Sequence, residues 1–211
     1  MATTNPANKS ALAVLLGALA LIGGVLAALY FSGGNGGNTS ISSGTLLQQP
    51  RALPTFALTD EKGQAFTPAS LLNHWTLMFP GFTYCPDVCP TTLGLLKTVQ
   101  ARLGDQGARL QVVLFSIDPQ RDTPEVLQRY VSFFSPDFKG VTTPEPGLQQ
   151  LAAALGVAYI KVPGDVEGNY TMDHSSALIL INPQGQLAGY FTPPFQVDAL
   201  VKDLESLLQT P

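Results

Sequence analysis

Basic side chains are few. The 211-residue chain holds 11 Lys and Arg against 15 Asp and Glu, a net charge of -4. Its aromatics are scattered rather than interleaved with Lys or Arg, so there is no electrostatic footprint for a nucleic-acid partner. Charge of either sign is sparse, 12% of residues against 45% apolar, which suits one well-buried core and leaves too little chain for a second. No internal repeat is visible. Cysteine and histidine number two each. The cysteines, Cys85 and Cys89, stand four residues apart in Phe82-Thr83-Tyr84-Cys85-Pro86-Asp87-Val88-Cys89-Pro90, just past an apolar run. Two sulfurs one helical turn apart can close on a single ion, or on each other, with little backbone movement. An inert disulfide is the weaker reading, because so short a loop constrains the unfolded chain little.

Charge is missing altogether from Ala11 to Phe31, a run of roughly 20 apolar residues, which is the length that crosses a bilayer. Signal-peptide cores are shorter, at about 7–15 residues, so the run is expected to be an uncleaved transmembrane helix over 11–31. Lys9 precedes it, no acidic residue does, and Tyr30 with Phe31 ends it as an interfacial belt would. Residues 1–10 are then a short cytoplasmic amino terminus, and the domain lies on the outer or periplasmic face of a bacterial inner membrane. Residues 32–45, rich in Gly, Ser and Asn, read as a flexible tether spanning on the order of 20 Å. A globular domain follows over 46–211, in a compartment where disulfides can persist.

Within that domain a hairpin around Glu61-Lys62-Gly63 is followed by strand-like and helix-like patterns in alternation. Strands are expected at Trp75–Phe79, Leu110–Ile117, Val157–Val162, Ala177–Ile181 and Leu187–Phe191. Helices are expected at about Pro90–Gly104, Pro124–Phe134, Gly147–Leu155 and Gln196–Leu208. The alternation predicts an α/β fold with a central sheet and helices on both faces. Reactive groups in such folds gather beyond the carboxyl ends of strands, and both cysteines fall just past the strand ending at Phe79. With Pro90 as the first helical residue, Cys89 would sit at a helix amino terminus, and its thiol pKa is expected to be lowered.

Three blocks, Gly81-Phe82-Thr83-Tyr84-Cys85-Pro86-Asp87-Val88-Cys89-Pro90, Ser116-Ile117-Asp118-Pro119-Gln120-Arg121-Asp122-Thr123-Pro124-Glu125 and Asp173-His174-Ser175-Ser176, resemble the Sco/SenC copper chaperones. The likeness spans about residues 50–208. It implies a thioredoxin-like, peroxiredoxin-related fold with a central mixed sheet, carried on a single membrane anchor. It also implies one copper ion held by Cys85, Cys89 and His174, and a role in building the dinuclear copper centre of cytochrome c oxidase. The partners implied are the copper-receiving oxidase subunit and an upstream periplasmic copper donor or thiol reductase. The donor chemistry agrees, since soft thiolates select Cu(I) and imidazole suits copper in either oxidation state. Thioredoxin-like oxidoreductases usually place a cis-proline before the corresponding strand. Met172-Asp173-His174-Ser175-Ser176 has no proline, and the cysteine loop has three intervening residues where redox motifs have two.

Around these ligands, Asp87 reads as a turn residue or a weak Cu(II) ligand, Asp118 as a supporting or partner-contacting group, and Asp173 as a carboxylate orienting the His174 ring. Asp122 and Glu125 fit a capping box around Pro124. His74 is expected at the opposite edge of the sheet as a surface or capping residue, and Met172 in packing. Two activities compete with copper delivery. The same cysteines suit a thiol:disulfide oxidoreductase that keeps the oxidase thiols reduced. A peroxidase is disfavoured, because the Thr-x-x-Cys-plus-Arg arrangement is missing.

Overall fold

The two longest apolar runs set the architecture. In a computed structural model, which describes residues 16–25, 41–166 and 168–209, β4 (Trp75–Gly81) and β5 (Leu110–Ser116) lie side by side and parallel. Leu77, Met78, Phe79, Val112, Val113, Leu114 and Phe115 are each at most 1% exposed. Unbroken apolar runs are what a parallel strand covered on both faces requires.

Around that pair an eight-stranded mixed sheet forms in the order β1-β10-β9-β4-β5-β6-β2-β3. The other strands are β1 (Gly44–Ala52), β2 (Leu58–Asp60), β3 (Ala65–Phe66), β6 (Lys139–Thr142), β9 (Leu178–Ile181) and β10 (Gln186–Phe191). β6 continues the parallel set beside β5, whereas β9 runs antiparallel to β4 and β10 antiparallel to β9. The expected hairpin around Gly63 is the antiparallel pair β2–β3.

Among the described residues after 40, four α-helices pack with these strands: α1 (Val88–Arg102), α2 (Pro124–Phe134), α3 (Gly147–Leu155) and α4 (Val197–Leu208). α4 buries Leu200, Val201, Leu204, Leu207 and Leu208, the one-sided pattern of an amphipathic helix, and packs against α1. α2 packs on β6, with Leu127 and Val131 inward. α3 stops at Gly156, whose left-handed φ of 71° is open to glycine at little cost.

Three features depart from the sequence expectation. The folded unit begins before residue 46: Ile41 packs on the core, and β1 starts at Gly44. Asp203 of α4 fastens this start, accepting backbone N–H bonds from Ser42 (2.9 Å) and Ser43 (2.7 Å) and a hydroxyl bond from Ser43 (2.6 Å). A second departure is β7 (Tyr159–Pro163) and β8 (Tyr170–His174), which pair only with each other and form a two-stranded sheet apart from the main one. Third, the expected capping box at Asp122 and Glu125 is not formed. The N-cap of α2 is Thr123, whose hydroxyl accepts from the Val126 N–H at 3.4 Å, and Asp122 is turned inward.

Of the apolar stretch 11–31, residues 16–25 are helical and the rest lies outside the described residues, as does most of the expected tether. Among the described residues no helix is long and apolar enough to cross a membrane.

Candidate metal centre

β4 ends at Gly81, and the chain turns through Phe82–Asp87 into α1. The turn is closed by the Cys85 N–H donating to the Phe82 carbonyl at 3.3 Å. Helix α1 starts at Val88, with Asp87 as its N-cap residue, so Cys89 lies inside the first turn rather than before it. The sulfur that meets the open amino end of the helix is Cys85 Sγ, which accepts the Cys89 N–H at 3.3 Å.

Cys89 is completely buried and Cys85 partly exposed, and both are free thiols. Burial, reinforced by the neighbouring Cys85 sulfur, pushes the Cys89 thiol well above its ordinary pKa. The lowered value expected from the helix terminus is thereby reversed: desolvation outweighs the dipole once the sulfur is inside the core. Gly81 makes that depth possible. A Cβ at this position would stand 3.1 Å from Cys89 Sγ, and equally close to Leu114 and Phe79.

His174 ends β8, ahead of β9, which starts at Leu178. Its ring meets Phe79 of β4 edge-on at 6.4 Å and Phe82 of the cysteine loop at 6.0 Å, which brings it to the carboxyl end of β4. Nδ1 lies 2.8 Å from the Ser175 carbonyl. A carbonyl only accepts, so Nδ1 carries the proton, which leaves Nε2 as the nitrogen able to bind an ion. The orienting group is thus a backbone oxygen, and the role expected for Asp173 is already filled.

Cys85, His174, Asp87, Asp173 and Met172 line one cleft of about 580 Å³, whereas the fully buried Cys89 is not part of its lining. Asp87 accepts a hydroxyl bond from Thr91 at 3.3 Å, in keeping with a turn role. Asp118 does not line this cleft. It is 3% exposed, ion-paired with Arg121, and accepts the Tyr170 hydroxyl at 2.8 Å. His74 sits before β4, at the far end of that strand from the cysteines, with Nε2 3.1 Å from the Ser70 carbonyl. Among the described residues no three His, Cys, Asp or Glu side chains stand close enough together to hold an ion in this geometry.

A model of the SCO1/SenC family matches residues 45–209. The chain belongs to the SCO1/SenC family. A relative from Stutzerimonas stutzeri, named for copper binding, is 38% identical over 164 residues, covering 77% of this chain and 80% of its own. The solved structure of Bradyrhizobium japonicum ScoI with copper bound is 33% identical and superposes with a TM-score of 0.68 over 74% of this chain and 99% of that one. Apo Sco1 from Thermus thermophilus is 34% identical, with a TM-score of 0.71 over 82% and 99%. The mixed α/β domain with its central sheet is therefore the Sco version of the thioredoxin-like fold.

Residue-type reasoning did not find Asp122, which is fully buried and holds the cysteine loop to β5. Its carboxylate accepts the Thr83 hydroxyl at 2.6 Å, the Thr83 N–H at 3.2 Å and the Ser116 hydroxyl at 2.7 Å. Burial raises its pKa, in part offset by these donors. The one available signal was its sequence distance from Glu125, which fitted a helix cap equally well.

Proposed function

We propose that this chain is a copper carrier for cytochrome c oxidase assembly, holding one ion through Cys85, Cys89 and His174 and passing it on by ligand exchange. The observation that carries the reading is the meeting of Cys85 and the His174 ring in one cleft, with the imidazole tautomer fixed so that Nε2 is free. Two sulfurs and one imidazole nitrogen fit copper in either oxidation state. Membership in a family with copper-bound members supports the choice of metal. The oxidase as acceptor follows from the Sco/SenC resemblance.

Ligation requires both thiols to be deprotonated. The partly exposed Cys85 is the first sulfur an arriving ion meets, and Cys89 gives up its proton as the ion settles between them. Copper uptake therefore releases protons, and His174 completes the set through Nε2. The uncharged run at 11–31 is proposed to anchor the chain in a bacterial inner membrane, with the domain on the periplasmic side; protease protection in spheroplasts tests this.

A second reading, thiol:disulfide exchange, is favoured by one observation: both cysteines are free and the Cys85 sulfur touches the Cys89 backbone. His174→Ala separates the two. Copper retention is expected to collapse while disulfide reductase activity survives; unchanged copper retention would sink the three-ligand site.

A further inference from the structure

The β7–β8 hairpin carries His174, yet neither strand joins the main sheet. Its position over the cysteine loop must come from side chains, and one side chain reaches every element concerned. Arg121 lies in the turn between β5 and α2. Its Nε is ion-paired with Asp118 in the same turn, and its Nη1 donates to the Tyr170 carbonyl of β8 at 3.0 Å. The guanidinium carbon stands 3.6 Å from the centre of the Tyr170 ring and 4.7 Å from that of Tyr84, with Phe82 at 5.8 Å. Tyr84 and Phe82 belong to the cysteine loop, and Phe82 is also the ring against which His174 rests.

The circuit closes on itself. The Tyr170 hydroxyl donates to the other oxygen of Asp118 at 2.8 Å, so hairpin and turn are joined through both the backbone and the side chain of Tyr170. The Arg121 side chain is only 18% exposed, which strengthens both the ion pair and the ring contacts. The hairpin's other polar ties, Lys161 to Gln120 at 3.1 Å and Tyr159 to Glu145, are solvent-exposed.

We propose that Arg121 is a positioning residue for the metal site, latching β8 to the cysteine loop so that His174 is presented to Cys85 before the ion arrives. A planar guanidinium can stack on rings and bond in its own plane at the same time, which an ammonium cannot. The inference rests on His174 being the third ligand, as proposed above.

The test uses the full chain. In Arg121→Ala, Cu(I) competition titration is expected to show affinity falling about 10–100-fold, the usual effect of removing a group that orients a ligand. In a His174→Ala background the same change is expected to cost nothing further, because Arg121 acts through that ring. Arg121→Lys falls between. Without any metal, amide hydrogen exchange should quicken at 170–174 in Arg121→Ala and stay unchanged in β4 and β5. Should Arg121→Ala not fold, Tyr170→Phe keeps the ring, deletes the bond to Asp118, and is expected to shift both readouts the same way by less. Unchanged protection of 170–174, or a loss that adds in full to that of His174→Ala, overturns the proposal. Failure of His174→Ala itself to weaken copper refutes the three-ligand site instead, and leaves the exchange experiment to judge the latch alone.

Discussion

Replacing Asp122 with alanine takes away the acceptor for three donors at once: the Thr83 N–H, the Thr83 hydroxyl and the Ser116 hydroxyl. Ser116 is fully buried and cannot turn to water, so its hydroxyl bears the full cost of an unmet donor, about 1–3 kcal/mol. Thr83 is half-buried and recovers part of its loss by hydration, which brings the total to about 3–4 kcal/mol. For a domain of this size that corresponds to a fall in Tm of about 6–15 °C, read by calorimetry or circular dichroism on the metal-free chain. Asp122→Asn keeps the shape, accepts from Thr83, and donates to a Ser116 hydroxyl that turns to accept; it should cost about 1 kcal/mol. The two variants also differ in pH response. Because burial raises the Asp122 pKa in the folded state, its contribution is complete below the unfolded carboxylate value and is lost as pH rises through the folded one. The advantage of the native protein over Asp122→Asn should therefore be greatest in acid and shrink towards neutral pH. An alanine variant melting within about 2 °C of the native chain would refute the claim that Asp122 secures the cysteine loop.

Alkylation of the metal-free protein at pH 8, followed by peptide mass spectrometry, should label Cys85 well ahead of Cys89, since Cys89 is buried and its thiol holds its proton; equal labelling would contradict that asymmetry. Asp203→Asn should loosen the start of β1, costing about 1–2 kcal/mol at neutral pH. Burial opposes ionisation of Asp203, but the bonds from Ser42 and Ser43 outweigh it and hold its pKa low. The native protein should thus lose this contribution as acid protonates the carboxyl, so the two chains converge at low pH. Gly81→Ala should press a methyl against Cys89 Sγ, at a cost of about 1–3 kcal/mol, with a change in copper affinity that a distant overpacking variant would not show.

The central strands were legible because burial on both faces writes itself as an unbroken apolar run, as in Leu77-Met78-Phe79 and Val112-Val113-Leu114-Phe115. The bounds expected for α2 and α3 coincide with those observed, each marked by its own signals: Thr123 and Pro124 before one, Gly156 after the other. β1 was hidden because an edge strand with most of its residues at least partly exposed, following Ser and Gly, has the composition of a tether. β8 was hidden because Tyr170-Thr171-Met172-Asp173-His174 answers only to its hairpin partner and needs no apolar face of its own. At the site, residue type and spacing singled out Cys85 and Cys89, and the Sco/SenC resemblance added His174. They could not show that Cys89 is buried, nor that Asp122 faces inward while Thr123 caps the helix. Those facts depend on elements far apart in sequence, and the local pattern around Pro124 is satisfied either way.

The uneven depth of the two sulfurs gives the centre a direction. Cys89 is fully buried beside Gly81, while Cys85 and His174 line the cleft. In the copper carrier proposed above, an acceptor would approach from the cleft, so its ligands would replace imidazole or the Cys85 sulfur first and Cys89 would let go last. The final bond to break would then be the one to the sulfur that most readily takes back a proton, and reprotonation of Cys89 would make the proposed handover harder to reverse.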